Sequence, residues 1–341
     1  MAGVSVPRID AAPAFPLVER FPALGALPRA PLTECPSPVE RVEVEGASLW
    51  LKRDDLNAPT MGGNKVRALE FLLGAVRPGD GVLTVGGEGS THVLATATHA
   101  ARLGAHTMAV RWPHEMHPTA RAVAGEAARR CVAVYGASLP GAVLRVAALR
   151  LRDRHLHWVP FGGSSPLGIV GHVNAALELA EQVRAGQCEP PRRVVVPVGS
   201  GGTAAGLLLG FALAGLEVEV VGVRVGPRIG VREGRVLGLA HATRRFIQRR
   251  VGAALAPIQP ARLRLVHDWY GGAYGRPHPA GTRAAGLLLP ASGAILDPTY
   301  AAKAGAAALA LSQRTDGATL LWVTFDGRGL ASGERGAAGD A

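Results

Sequence analysis

The stretch Leu51-Lys52-Arg53-Asp54-Asp55-Leu56, followed after Met61 by Gly62-Gly63-Asn64-Lys65-Val66-Arg67, decides how the rest of the chain reads. Lys65 stands just after two glycines, at the head of a segment in which Val66, Leu69, Leu72, Leu73 and Val76 share one helical face. Glycines let backbone approach whatever the lysine holds, and a helix offers the positive end of its dipole to an anion. A lysine so placed faces an anionic partner rather than only solvent.

Outward from this point the chain alternates strand and helix. Residues 42–51 alternate like a hairpin or edge strand, and residues 65–76 predict a helix. Strands are expected over 81–85, 107–111, 132–135, 194–198, 218–225 and 319–324. Helices are expected over 92–103, 118–130, 140–154, 167–184 and 301–312. The fold class expected is α/β: two domains, each a mostly parallel sheet flanked by helices. Residues 70–185 form the smaller domain; the larger is discontinuous, from 1–69 and 186–341. Residues 1–40 are Pro-rich and expected to run over the surface; 331–341 read as a frayed tail.

Composition removes several function classes. With 341 residues, 48% of them hydrophobic, the chain can bury a large core. The longest apolar run, 204–216, stops at Glu217, short of the roughly 20 residues a membrane helix needs. Residues 1–10 lack the pattern of a signal peptide, so a cytoplasmic protein is expected. Cys35, Cys131 and Cys188 are too far apart for a zinc site or a disulfide framework, and no metal is expected. The net charge of +11 is almost wholly arginine, densest at Arg244-Arg245 and Arg249-Arg250. No nucleic-acid-binding pattern accompanies it, and a solvated helix face is the expectation. Lysine is scarce: Lys52, Lys65 and Lys303 are the only ones. If the anion is pyridoxal phosphate, whose aldehyde a lysine holds as a Schiff base, three candidates exist.

Three further segments carry chemistry. Gly199-Ser200-Gly201-Gly202-Thr203 follows a strand and opens a helix, the arrangement of a phosphate-binding nest. With Ala204 it also fits a dinucleotide fingerprint. No acidic residue ends the next strand, although Arg224 could serve a 2′-phosphate. Gly86-Gly87-Glu88-Gly89-Ser90-Thr91-His92 could hold a substrate carboxylate, or Ser90 and Thr91 could simply cap a helix. Tyr300, in Asp297-Pro298-Thr299-Tyr300, could be a catalytic phenol or a packing residue.

In order along residues 35–330 these pieces, with Phe161-Gly162-Gly163-Ser164, Gly272-Ala273-Tyr274-Gly275 and Lys303, resemble one family. It is the pyridoxal-phosphate-dependent 1-aminocyclopropane-1-carboxylate deaminase/D-cysteine desulfhydrase family, of the tryptophan-synthase-β (type II) fold. The resemblance implies that Lys65 is the Schiff-base lysine and base, and that Gly199, Ser200, Gly201, Gly202 and Thr203 cup the phosphate. It implies that Ser90 meets the substrate carboxylate, that Tyr300 and Tyr274 are active-site tyrosines, and that Asn64, Thr91 and Thr324 contact the cofactor ring. It implies a small amino-acid substrate, a keto acid and ammonia as products, and a homodimer without nucleic-acid or membrane partners. Cyclopropane deamination, racemisation, β-replacement and a weakened, non-turning relative are the alternatives. Thr91 replaces the family's asparagine, Ala301 its acid or threonine, and His172 its tyrosine. Phe325 is expected to put a bulky ring beside the cofactor.

Overall fold

A computed structural model describes residues 15–328, except 115 and 315. The expected tail at 331–341 lies outside the described residues. Two sheets carry the strands. The larger has the order β1-β2-β10-β7-β8-β9, the smaller β5-β4-β3-β6. In the larger, β1 (Val39–Val44) and β2 (Ala47–Arg53) form an antiparallel hairpin. Strands β7 (Arg193–Val198), β8 (Glu219–Arg224), β9 (Leu263–Val266) and β10 (Thr319–Val323) run parallel. The smaller is wholly parallel: β3 (Gly81–Gly87), β4 (His106–Trp112), β5 (Cys131–Tyr135) and β6 (His157–Val159).

The continuous apolar run of β7 is explained by burial on both faces. Pro197 is tolerated because β10 pairs with β7 only as far as Val195. The N-terminal segment departs from expectation. Helix α1 (Pro16–Arg20) and the turn after it bury Leu17 and Leu24 in the main core rather than skirting the surface. The Leu17 amide donates to Asn174 Oδ1 at 3.0 Å.

Helices α2 (Asn64–Leu72), α3 (Thr91–Arg102), α4 (Pro118–Arg130) and α5 (Leu139–Arg152) follow in order. Helix α6 (Pro166–Arg184) then lies between α2 and α7 (Gly202–Ala214). Close approach depends on missing side chains. A Cβ at Gly171 of α6 would lie 1.9 Å from the Arg67 carbonyl oxygen, and one at Gly206 of α7 would lie 2.3 Å from His172 Cβ. Helix α6 falls within the 70–185 stretch, yet its apolar face shares one core with α7 and β7. Helices α8 (Glu233–Val251), α9 (Pro279–Ser292) and α10 (Ala301–Ser312) complete the body. Arg245, Arg249 and Arg250 lie exposed on α8, as a solvated face requires.

A cluster of buried ions locks α2 in place. Arg67 donates to both carboxylate oxygens of Asp54, at 2.8 and 2.6 Å, and to Glu178 Oε2 at 2.9 Å. Lys52 Nζ meets Glu178 at 2.5 Å, Gln182 at 2.6 Å and the Ser37 carbonyl at 2.7 Å. Trp322 Nε1 donates to Asp54 at 2.7 Å. Burial pushes the Glu178 carboxyl up, but Arg67 and Lys52 outweigh it and hold it well below the usual range. Breaking such a buried pair from one side strands a charge. Asp54→Ala is therefore expected to cost about 3–5 kcal/mol of unfolding free energy in urea titration. Removal of the exposed Arg41–Glu43 pair is expected to cost about 0–1 kcal/mol. Equal losses would contradict the assignment.

Candidate active site

The start of α2 is built by its neighbours. Gly63 adopts φ 115°, which disfavours other residues. Its amide donates to the Asp54 carbonyl at 2.7 Å and to Asn57 Oδ1 at 3.0 Å. A Cβ there would lie 2.4 Å from the Thr324 carbonyl oxygen, to which the Asn64 amide donates at 3.1 Å. Lys65 is the second residue of the helix and borders a cleft. Its amine has no hydrogen-bond or ion-pair partner among the described residues. Desolvation lowers its pKa from 10.5 to about 8, against the pull of the Asp297 carboxylate. The other two lysines are committed: Lys52 to the ion cluster, and Lys303 to the Tyr270 carbonyl at 2.8 Å.

Twelve residues were expected at the site, namely Lys65, Ser90, Tyr274, Tyr300, Asn64, Thr91, Gly199, Ser200, Gly201, Gly202, Thr203 and Thr324; all but Gly202 border this one cleft. Gly202 sits beside it as the first residue of α7, where a Cβ would lie 2.5 Å from Ser164 Oγ. Gly201, at φ 92°, is the α7 N-cap and makes no side-chain cap. The first N–H groups of the helix therefore lack a capping side chain, as an anion site needs. Around them, Asn64 Nδ2 donates to Thr203 Oγ1 at 2.8 Å and Ser164 Oγ to Ser200 Oγ at 2.7 Å. An anion cup and an unpartnered amine in one cleft fit pyridoxal phosphate, a phosphate monoester carrying an aldehyde. The dinucleotide alternative loses its support: Arg224 lies 3.8 Å over the Tyr270 ring and donates to the Gly226 carbonyl.

Ser90 occupies the N-cap position of α3 but makes no side-chain capping bond, so its hydroxyl is not spent there. His92 beside it is held neutral, its pKa lowered to about 3 by burial and then by Lys65. Tyr274 and Tyr300 share a short hydroxyl–hydroxyl hydrogen bond, with rings edge-on at 6.1 Å. Burial pushes both phenols up, so both stay protonated at neutral pH.

Asp297 holds Tyr300 in place, a task not foreseen for it. Its carboxylate accepts from the amides of Thr299, Tyr300 and Ala301 at 3.1, 2.9 and 3.0 Å. An aspartate just ahead of a helix is the available sequence signal. Phe161, Gly162 and Pro197 border the cleft and were missed as site residues; for the first two the available signal was the glycine pair Gly162-Gly163 leading into Ser164 before a helix. Phe325 borders the cleft as expected, and it also packs with Val93, Leu94, Ala109, Val123 and Ala127. His117 Nε2 and Thr299 Oγ1, 2.7 Å apart, make a second link across the cleft.

A family model described as "Pyridoxal-phosphate dependent enzyme" matches residues 24–324. The chain is 39% identical over 313 residues to nocardicin C-9' epimerase of Nocardia uniformis subsp. tsuyamanensis, covering 88% of this chain and 93% of that protein. It is 34% identical over 300 residues to a D-cysteine desulfhydrase of Salmonella paratyphi A, covering 82% and 87%. A solved structure titled as an ACC deaminase homologue superposes with a TM-score of 0.74 at 26% identity, covering 93% of this chain and 98% of that one.

Two pH effects follow. Only a neutral amine attacks an aldehyde, so the rate at which Lys65 captures pyridoxal phosphate in the apoprotein should climb with pH and level off above about 8. A midpoint near 10.5 in stopped-flow absorbance would contradict this. Burial, then Lys65 and Arg67, lower the His172 pKa from 6.5 to about 3. The unfolded chain therefore takes up this proton first: stability is intact above 6.5 and falls as pH drops toward 3. Between these limits His172→Gln should flatten the stability–pH slope by about 1.4 kcal/mol per pH unit; an unchanged slope would contradict it.

Proposed function

The chain belongs to the pyridoxal-phosphate-dependent enzyme family, and from that premise we propose that it removes the α-proton of a small amino acid and expels the β-substituent. The reaction is D-cysteine desulfhydrase-like and yields a keto acid, ammonia and the released group. The observation that carries this reading is the meeting, in one cleft, of an unpartnered amine of lowered pKa with a pair of protonated phenols.

When bound, the cofactor supplies an aldehyde that condenses with amines and a ring that accepts the electron pair left on the α-carbon. The rest is the work of this chain. Lys65 Nζ takes the α-proton, for which a pKa of about 8 is well matched to neutral pH. The Ser90 hydroxyl and the start of α3 hold the substrate carboxylate. Tyr300, hydrogen-bonded to Tyr274, gives a proton to the departing group. Gly199 to Thr203 hold the phosphate, while Asn64, Thr91 and Thr324 orient the ring. Phe325 and the His117–Thr299 contact keep the cleft closed against water.

A second reading, inversion at the α-carbon, is supported by the 39% identity to an epimerase. It needs the same base and a phenol returning the proton, and differs in releasing no keto acid. We also propose the division into a 70–185 lobe and a discontinuous lobe of 1–69 and 186–341, a homodimer, and a cytoplasmic location. Among the described residues no helix is long and apolar enough to cross a membrane.

Lys65→Ala is expected to lose both the visible absorbance of lysine-bound cofactor and all keto-acid release. Tyr300→Phe should keep the absorbance and lower kcat by about 10²–10⁴. Persistence of the band in Lys65→Ala would contradict the assignment. Solvent deuterium entering the α-position without keto acid would favour inversion over elimination.

A further inference from the structure

The cleft has a second feature that elimination from a bare thiol does not use. Phe161 borders it and keeps 42% of its surface exposed. The Phe161 ring lies 6.0 Å from Trp112 at the end of β4. The next ring along, His114, meets Tyr274 edge-on at 5.2 Å. The approach of Trp112 and His114 depends on Gly87, where a Cβ would lie 2.8 Å from His114 and 3.6 Å from Trp112. Gly87 leads directly into the turn that carries Ser90. Phe161 and Tyr274 border the cleft, with Trp112 and His114 behind them rather than in its lining.

The electrostatics of the cleft narrow what these rings can bind. Among its described lining residues there is no carboxylate and no guanidinium; the ionisable side chains are Lys65, His92 and the two phenols. A charged substituent entering there would shed its water without finding a counter-ion. An uncharged aromatic group would gain ring contacts and lose little.

We propose that Phe161 and Tyr274, backed by Trp112 and His114, form a subsite for an uncharged aromatic departing group, so that the substrate class is a β-thioether of cysteine bearing an aryl or arylmethyl substituent. This rests on the elimination reading above. In the overall reaction the α-C–H and Cβ–S bonds break. The α-proton goes to Lys65 and a phenolic proton to the departing sulfur. Water then takes the nitrogen off the three-carbon fragment: thioether amino acid plus water gives thiol, pyruvate and ammonium. No oxidant or reductant is needed.

The test uses the holoenzyme with S-benzylcysteine and cysteine, each as both enantiomers, following thiol and pyruvate. For one enantiomer kcat/KM should be at least about tenfold higher for the S-benzyl compound. Phe161→Ala should reduce that preference to near unity, and Phe161→Tyr should preserve it. Calorimetry with 3-(benzylthio)propionate, which lacks the amino group, gives a readout apart from turnover: binding to the wild type, weakened about tenfold by Phe161→Ala. Cysteine processed as well as S-benzylcysteine would overturn the subsite and leave elimination standing. Phe161-dependent binding of the analogue without thiol release from any substrate would support the subsite and defeat elimination. An equal loss for both substrates in Phe161→Ala would overturn the subsite.

Discussion

Arg67, pinned between Asp54 and Glu178, is the interaction on which the site depends. Its guanidinium donates to both oxygens of each carboxylate, and all three groups are buried. The charges come from the 3-10 turn after β2, from α2 and from α6, and Lys52 adds β2 itself. A hydrophobic replacement of such a cluster need not weaken a fold, but a shift of any one member strands a buried charge. The cluster therefore penalises displacement of α2, and Lys65 lies two residues before Arg67.

Helix α6 extends this control to the other half of the cleft. One side of it touches the α2 backbone at Gly171; the other is received by Gly206 of α7. Helix α7 begins at the proposed phosphate cup, so one helix spans from the Lys65 helix to that turn. Tyr300 is placed independently by the three amides bound to Asp297, and Tyr274 is hydrogen-bonded to it. The proposed base and acid thus stand on separate supports, with Phe325 and the His117–Thr299 contact beside them.

Much of this was legible in the chain. The glycines before Lys65, the Gly-rich turn after β7 and the strand–helix alternation located the amine, the cup and the parallel sheets, because each depends on residues close in sequence. What escaped depends on distance. Arg67 and Glu178 are 111 positions apart, and nothing near either residue shows that their charges are buried together. Lys52 read as a candidate for the cofactor until its pairing with Glu178 appeared. Phe325, expected at the site beside Thr324, borders the cleft, but its further packing against α3 and α4 was not announced by any residue near it in sequence. The short strands β6 and β9 were missed because their few residues carry too little alternation to stand out.

The central claim is that Lys65, its pKa lowered by desolvation and its amine left without a partner among the described residues, is the amine that holds the cofactor. Borohydride reduction of the holoenzyme followed by peptide mapping tests it most directly. The claim predicts the pyridoxyl adduct on Lys65 alone, with Lys52 and Lys303 unmodified. An adduct on Lys303, or none on any lysine, would contradict it.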